Sequence, residues 1–401
     1  MHGALAISAR EVGKGSTGGE VRQEVVHQLE GLKQELWVKM FEKHPAPQQS
    51  RAAAVFTQRD RLSTQWVRSG PVGSCVLDNK QFVSVAAQYM CLPNPLCFGR
   101  IGESVGKGTV DVHGDTVCSE SLPGDGWRVA HDSIKRELQR LAKWAGWKCQ
   151  AEVYNLFADL VPQGETVEAQ LSALVGESHR TRARHVLVPD LRLRGEVHVG
   201  TEGGLAGNSS VDWLAEVKTI RCCQTRYNLK QRNSKAVDRR AAMVPKEYTK
   251  KARDVDRGVL GAPDGVPGPV QARLEEYGEV KALVFGAFGE ASQEVHSLVD
   301  QLASSRANGR IGVTDKEWQA EKSLAISTIR QRLGVTVVRA QADLLSQRMQ
   351  WVGEGAKVAL AERKQEARRQ REEELEQRAM LAALGSTSGP GRRGELGWGA
   401  A

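Results

Sequence analysis

The chain has 401 residues, of which 40% are hydrophobic, and carries a formal net charge of +8 with a pI near 9.1. That length accommodates two or three domains with real cores, and the basic balance favours a polyanionic partner. Seven cysteines at irregular spacing and the lack of any run of 18 apolar residues argue against a disulfide-stapled secreted scaffold and against a transmembrane helix.

Along the chain, residues 1–20 are Gly-rich, lack an apolar signal-peptide core and read as disordered. Residues 21–70 form a helical N-terminal region, with Val25, Leu29, Leu32, Leu36 and Met40 on one stripe and a second helical piece around Ala52–Trp66. Residues 71–128 are rich in Gly and Pro, read as irregular, and hold Cys75, Cys91, Cys97 and Cys118. An amphipathic helix follows over 131–146: Ile134, Leu138, Leu141 and Ala145 recur at helical spacing and Gly146 stops it. Strands are predicted at 149–157, 185–193 and 211–220, the last two separated by Gly-rich Gly200–Ser210. Helices around Asp238–Met243 and Lys246–Arg257 precede a turn-rich loop, Gly258–Pro269, and a strand over 280–288. Helices at 290–304, 316–333 and 336–352, a charged helix over Lys357–Arg378 and a Gly-rich tail at 384–401 complete the chain.

Charge is unevenly spread. Between Lys218 and Arg253 twelve Lys or Arg face only Asp238 and Glu247, a local excess larger than that of the whole chain, so the remainder is slightly acidic. Arg221, Arg226, Tyr227, Lys230, Arg232, Arg239, Arg240, Lys246, Lys250, Lys251 and Arg253 are the candidate nucleic-acid contacts, with Tyr227 and Tyr248 either stacking on bases or packing. The cysteine usage fits a reducing, intracellular compartment rather than a secreted protein, and the basic clusters at Lys246–Arg253 and Arg363–Arg371 are of the kind that serve nuclear import, although a solvated helix explains the second equally well.

Two predicted strands carry charges inside apolar runs: Pro189-Asp190 in one, Glu216-Val217-Lys218 in the next. Strand side chains alternate, so Glu216 and Lys218 point the same way. Charges in such places are costly unless paired or liganded. Either they form a surface hairpin with a salt bridge between Lys218 and a carboxylate, or two carboxylates and an ammonium converge on a hard divalent metal ion and an activated water at a phosphodiester.

The order helix, strand, strand, strand, helix, strand, with Pro-Asp on the second strand and Glu-x-Lys on the third, resembles the PD-(D/E)XK nuclease superfamily over residues 128–290. The run Leu122-Pro-Gly-Asp-Gly-Trp-Arg-Val-Ala-His-Asp-Ser-Ile-Lys135, with Asp111–Asp115 and Cys118 before it, is similar to nuclease-containing segments of retroelement-like proteins. The resemblance implies an α/β protein with a restriction-endonuclease-like αβββαβ core over 129–305, flanked by the N-terminal region and by C-terminal helices over 306–383. It implies that Asp190 and Glu216 hold Mg²⁺ or Mn²⁺, with Glu137 as a further acidic ligand on the first helix, and that Lys218 orients the attacking hydroxide and stabilises the transition state. It also implies nucleic acid as partner, DNA ahead of RNA, and the alternative of a catalytically lapsed module that only binds. At the start of the first helix, His131 and Lys135 either touch phosphate or, for His131, cap the helix. Cys91, Cys97, His113 and Cys118 form a candidate Zn²⁺ knuckle, although the first gap is longer than paired zinc spacings and Pro93 and Pro95 stiffen it, which counts against zinc.

Overall fold

A computed structural model describes residues 60–69, 73–123, 126–153, 187–199, 207–222, 236–258, 260–309 and 314–356, with scattered single positions beside them. The expectations for residues 1–20, most of 21–59 and the tail at 384–401 lie outside the described residues, as do those for much of the charged helix over 357–378.

The elements run α1 (Gln65–Arg68), α2 (Asn79–Tyr89), β1 (Ser104–Val105), β2 (Gly108–Thr109), α3 (Asp115–Ser119), α4 (Gly126–Trp144), β3 (Lys148–Ala151), β4 (Leu191–Val199), β5 (Gly207–Thr219), α5 (Ala236–Ala241), α6 (Val244–Gly258), α7 (Pro269–Glu276), β6 (Lys281–Phe285), α8 (Gln293–Asn308) and α9 (Asp315–Arg348). The chain is thus mixed α/β. Its main sheet has four strands in the order β3-β4-β5-β6; β3, β4 and β5 are antiparallel and β6 runs parallel to β5. Among the described residues no helix is long and apolar enough to cross a membrane.

Helices cover both faces of the sheet, which is why β6 reads as an almost continuous apolar run, Lys281-Ala-Leu-Val-Phe285. One face meets α4, α8 and α9: Leu191, Leu193, Ala215, Val217, Leu283 and Phe285 join Ile134, Leu138, Leu141, Val295, Leu298, Ile329 and Leu333. The other face meets α5, α6 and α7: Leu214, Ala282 and Val284 join Val237, Val244, Tyr248, Val255 and Val270. Along β5, then, Ala215 and Val217 go to one side, and Leu214 and Glu216 to the other, following the period of two.

Several elements differ from the sequence expectation. Residues 71–128 hold α2, the small β1–β2 hairpin and α3, with Asp78 and Gln81 forming a capping box on α2. Short, locally closed pieces of this kind leave no long periodic stretch to read. The β4–β5 hairpin extends to Val199↔Gly207, so part of the Gly-rich stretch is ladder rather than linker. The two helices expected at 316–333 and 336–352 are one helix, α9, which runs through Gly334. That glycine is a point of close approach, since a Cβ there would lie 3.1 Å from the Leu62 carbonyl oxygen. α9 also packs Leu345, with Met349 just past its end, against Cys97, Val105 and Val117 of the 71–128 region, and Ile329 and Leu333 against the sheet helices, so one helix ties both cores together.

β4 crosses Trp147 at Gly195, where an added Cβ would lie 2.3 Å from the indole, and Trp147 itself stacks edge-on against Trp213. Gly195→Ala is therefore expected to lower stability by about 1–3 kcal/mol through overpacking. The exposed Gly355→Ala, which meets nothing within 4 Å, should change it little. Urea unfolding of the two variants beside wild type checks this.

Candidate active site

Asp190 sits just before β4. Its backbone carbonyl accepts the Glu152 N–H (3.0 Å), while its side-chain Oδ2 accepts the Val217 N–H (2.9 Å). Val217 lies between Glu216 and Lys218, so this single hydrogen bond brings the Pro-Asp end of β4 onto the Glu-x-Lys of β5. Glu216 and Lys218 project from the same face of β5 and form an ion pair. That contact is the salt bridge of the plain hairpin reading, but it lies beside a second carboxylate rather than on an open surface.

Flanking helices complete the cluster. From α6, Tyr248 donates its hydroxyl to Glu216 Oε2 (2.6 Å). From α4, His131 Nε2 lies 3.1 Å from Asp190 Oδ2 and 3.2 Å from the Val217 carbonyl oxygen, and Nδ1 lies 3.1 Å from Asp132. Lys135, one turn further, is ion-paired with Glu152, with Asp132 at 3.3 Å and with Asp190 Oδ1 at 3.8 Å. His131 and Lys135 thus face the carboxylates rather than solvent phosphate.

The electrostatics divide the two carboxylates. Burial alone would push Asp190 up, but the His131 hydrogen bond and charge, the Val217 N–H and Lys218 outweigh it and hold the group below the ordinary carboxylate range. Glu216 goes the other way: burial raises it and Asp190 adds to the rise, against the opposing pull of Lys218 and Tyr248. Burial and then the Glu216 charge hold the Tyr248 hydroxyl well above its usual value, so it remains a donor. Lys251, also on α6, is lowered by burial, which the Glu216 charge partly opposes.

Other candidates go elsewhere. Glu137 is buried, but Arg332 of α9 (2.8 Å) and Arg140 (3.3 Å) take its carboxylate, so it belongs to the α4–α9 interface and not to the Asp190–Glu216 cluster. Tyr227 is 0% exposed; its hydroxyl donates to Glu290 and accepts the Ala287 N–H, so it is a core residue and no stacking platform. Tyr248 is likewise buried against Glu216 instead of facing bases. The Arg221 guanidinium lies over the Trp127 ring (4.1 Å) and donates to the Ser119 carbonyl, a packing role between α3 and α4. Arg240 pairs with Glu247. Arg226, Lys230 and Arg232 lie outside the described residues.

Lys246, Lys250 and Arg253 do share the exposed face of α6, with Arg257 continuing the stripe one turn on. Arg239 is exposed on α5. The opposite face of α6 carries Val244, Tyr248, Ala252 and Val255 into the core, so one helix presents cations outward and Tyr248 toward Glu216.

Among the described residues no three His, Cys, Asp or Glu side chains share the geometry of a metal site. The knuckle candidates do not form such a group: Cys97 and Cys118 pack with Val105 and Val117, Cys91 packs at the edge of the other core, and His113 Nδ1 lies 3.1 Å from the Leu92 carbonyl oxygen.

Sequence reasoning missed Glu152 as a neighbour of the cluster. It follows β3 with φ of 51°, a left-handed conformation uncommon for a residue with a side chain, and only the fold shows that its backbone is tied to Asp190. Tyr248 had a usable signal, being the polar-tipped residue on the apolar stripe of a basic helix.

The raised pKa of Glu216 carries a sign. Its unfolded carboxyl ionises first, so the stability present below that pKa declines as pH rises toward the folded value. Glu216→Gln should therefore raise the thermal midpoint at pH 7 and leave it nearly unchanged at pH 4, as read by melting at both pH values. A lower midpoint at pH 7 would contradict the assignment.

Comparison with family models, with curated proteins and with solved structures finds no match to this chain.

Proposed function

We propose that the chain is a metal-dependent nuclease with a restriction-endonuclease-like core, hydrolysing phosphodiester bonds with DNA as the preferred substrate. The observation that carries this reading is the Asp190 carboxylate seated on the Val217 amide, between Glu216 and Lys218. The succession α4, β3, β4, β5, α5 with α6, then β6, with three antiparallel strands and a parallel fourth, supports the αβββαβ core that the sequence resemblance implies.

The residues fit a hard divalent ion. Magnesium keeps several waters and needs only one or two carboxylates, and Asp190 and Glu216 supply oxygen donors. Glu216 already holds a cation, the Lys218 ammonium. Asp190 and Glu216 would hold the ion, which when bound lowers the pKa of a coordinated water and neutralises phosphate charge. Around it the protein does the positioning. The Val217 N–H and His131 fix Asp190, while Tyr248 fixes Glu216. Lys218 is the cation free to turn from Glu216 to a phosphate oxygen, offsetting charge that develops there. The α6 stripe of Lys246, Lys250 and Arg253 contacts the backbone without reading sequence.

A second reading, a catalytically lapsed nucleic-acid-binding module with the same fold, is favoured by the Lys218–Glu216 ion pair taken as a purely structural contact. Cleavage of plasmid and single-stranded DNA, beside matched RNA, with Mg²⁺ or Mn²⁺ separates the two. The nuclease reading expects DNA cleavage that EDTA abolishes and that Lys218→Ala lowers by about 10²-fold or more. No cleavage, with salt-dependent binding equal in wild type and Lys218→Ala, would leave the lapsed module.

Binding has its own test. Replacing Lys246, Lys250 and Arg253 together with Ala should flatten the slope of log K against log salt on duplex DNA, by roughly 0.9 for each phosphate that these side chains neutralise. An unchanged slope would place the interface elsewhere.

A further inference from the structure

Lys135 is a tightly held, nearly buried charge. Its ammonium is surrounded by three carboxylates delivered by three separate pieces of chain: Asp132 from the preceding turn of α4, Glu152 from the end of β3, and Asp190 from the start of β4. Its side chain is 9% exposed, against 33% for Lys218. An ammonium that ordinarily loses by burial is here bound so well by Glu152, Asp190 and Asp132 that burial is outweighed.

The two lysines of the cluster therefore differ in kind. Lys218 holds one carboxylate, Glu216, on a partly exposed stem and can leave it. Lys135 is held on three sides and cannot withdraw without depriving the partly buried Asp190, and with it Asp132 and Glu152, of their shared cation. Its nitrogen lies 3.8 Å from Asp190 Oδ1, while His131 and the Val217 N–H occupy Oδ2. Two-metal phosphodiester sites place their ions about 3.5–4 Å apart, bridged by a shared carboxylate. In this chain Asp190 already has a cation beside its Oδ1, the Lys135 ammonium, and that cation is covalently part of the protein.

We infer that Lys135 is a resident cation that takes the place of a second metal ion, so that the cluster accepts one divalent ion, between Asp190 and Glu216, and not two. The inference rests on the metal-dependent reading proposed above and names the stoichiometry of that same site. Lys135 acts through Asp190, Asp132 and Glu152 and is a positioning residue; Asp132 and Glu152 serve as its counter-charges.

The test is Mn²⁺ binding by the full chain, followed by calorimetry and by electron paramagnetic resonance. Wild type is expected to bind one Mn²⁺. Lys135→Met keeps the length of the side chain and removes its charge, which should admit a second ion and make the melting temperature of the variant rise more with added Mn²⁺ than that of wild type. Lys135→Arg should restore single occupancy. Where Lys135→Met alone does not fold, the double variant Lys135→Met/Asp132→Asn removes one charge of each sign and is read in the same way. Two ions in wild type, or one ion at unchanged affinity after loss of the Lys135 charge, would overturn the inference. No ion in wild type but one in Lys135→Met would overturn the one-ion stoichiometry and, with it, the metal-dependent reading. No ion in either protein would overturn both.

Discussion

The hydrogen bond from the Val217 amide to the Asp190 carboxylate is the constraint on which the site depends. β4 begins at Leu191, opposite Ala215, so beyond that pair β5 no longer has β4 backbone beside it on this side. The Asp190 side chain takes over as acceptor for the next amide. Strand periodicity does the rest: with Ala215 and Val217 committed to the helical core on one face, Glu216 and Lys218 must emerge on the other. A slip of one residue would turn Glu216 and Lys218 into the core against α4, α8 and α9 and take Val217 out of it, so that apolar core fixes the register that aligns the charged trio.

That arrangement costs stability and is held by the flanking helices. Glu216 is a buried carboxylate whose pKa burial raises, opposed by Lys218 and Tyr248. Asp190 is held down by His131, Val217 and Lys218. Two adjacent carboxylates with environments pushing them in opposite directions are a common mark of sites built for chemistry rather than for stability. α6 serves both parts of the account, since Tyr248 reaches Glu216 while Lys246, Lys250 and Arg253 line the exposed face of the same helix.

Much of this framework was legible in the sequence, for identifiable reasons. α4 and β6 stood out because strong apolar periodicity and a continuous apolar run are local signals. Glu216 and Lys218 stood out because charges interrupt an apolar strand, and Asp190 because it ends an apolar run, although the strand expected over 185–193 starts only at Leu191, after it. What escaped was decided by partners distant in sequence. Glu137 borders the buried face of α4 as its spacing predicts, but which charge it meets depends on Arg332, nearly two hundred residues later. Tyr227 lies in a basic run that left stacking and packing both open, and the fold decides for packing by burying it against Glu290. Lys135 reads as a phosphate contact at a helix start until Glu152 and Asp190 are brought to it. Gly334 reads as a break between helices, whereas it is the contact that lets α9 pass close to Leu62.

The most direct test of the central claim, that β4 and β5 place one cation site between Asp190 and Glu216, is iron-mediated self-cleavage. Fe²⁺ with ascorbate and peroxide, bound in place of Mg²⁺, cuts the backbone beside its ligands, and the fragments are sized by mass spectrometry. Cuts are expected around residues 190 and 216, competed away by excess Mg²⁺ and lost in Asp190→Asn. Cuts confined to other segments, or a pattern unchanged in Asp190→Asn, would contradict it.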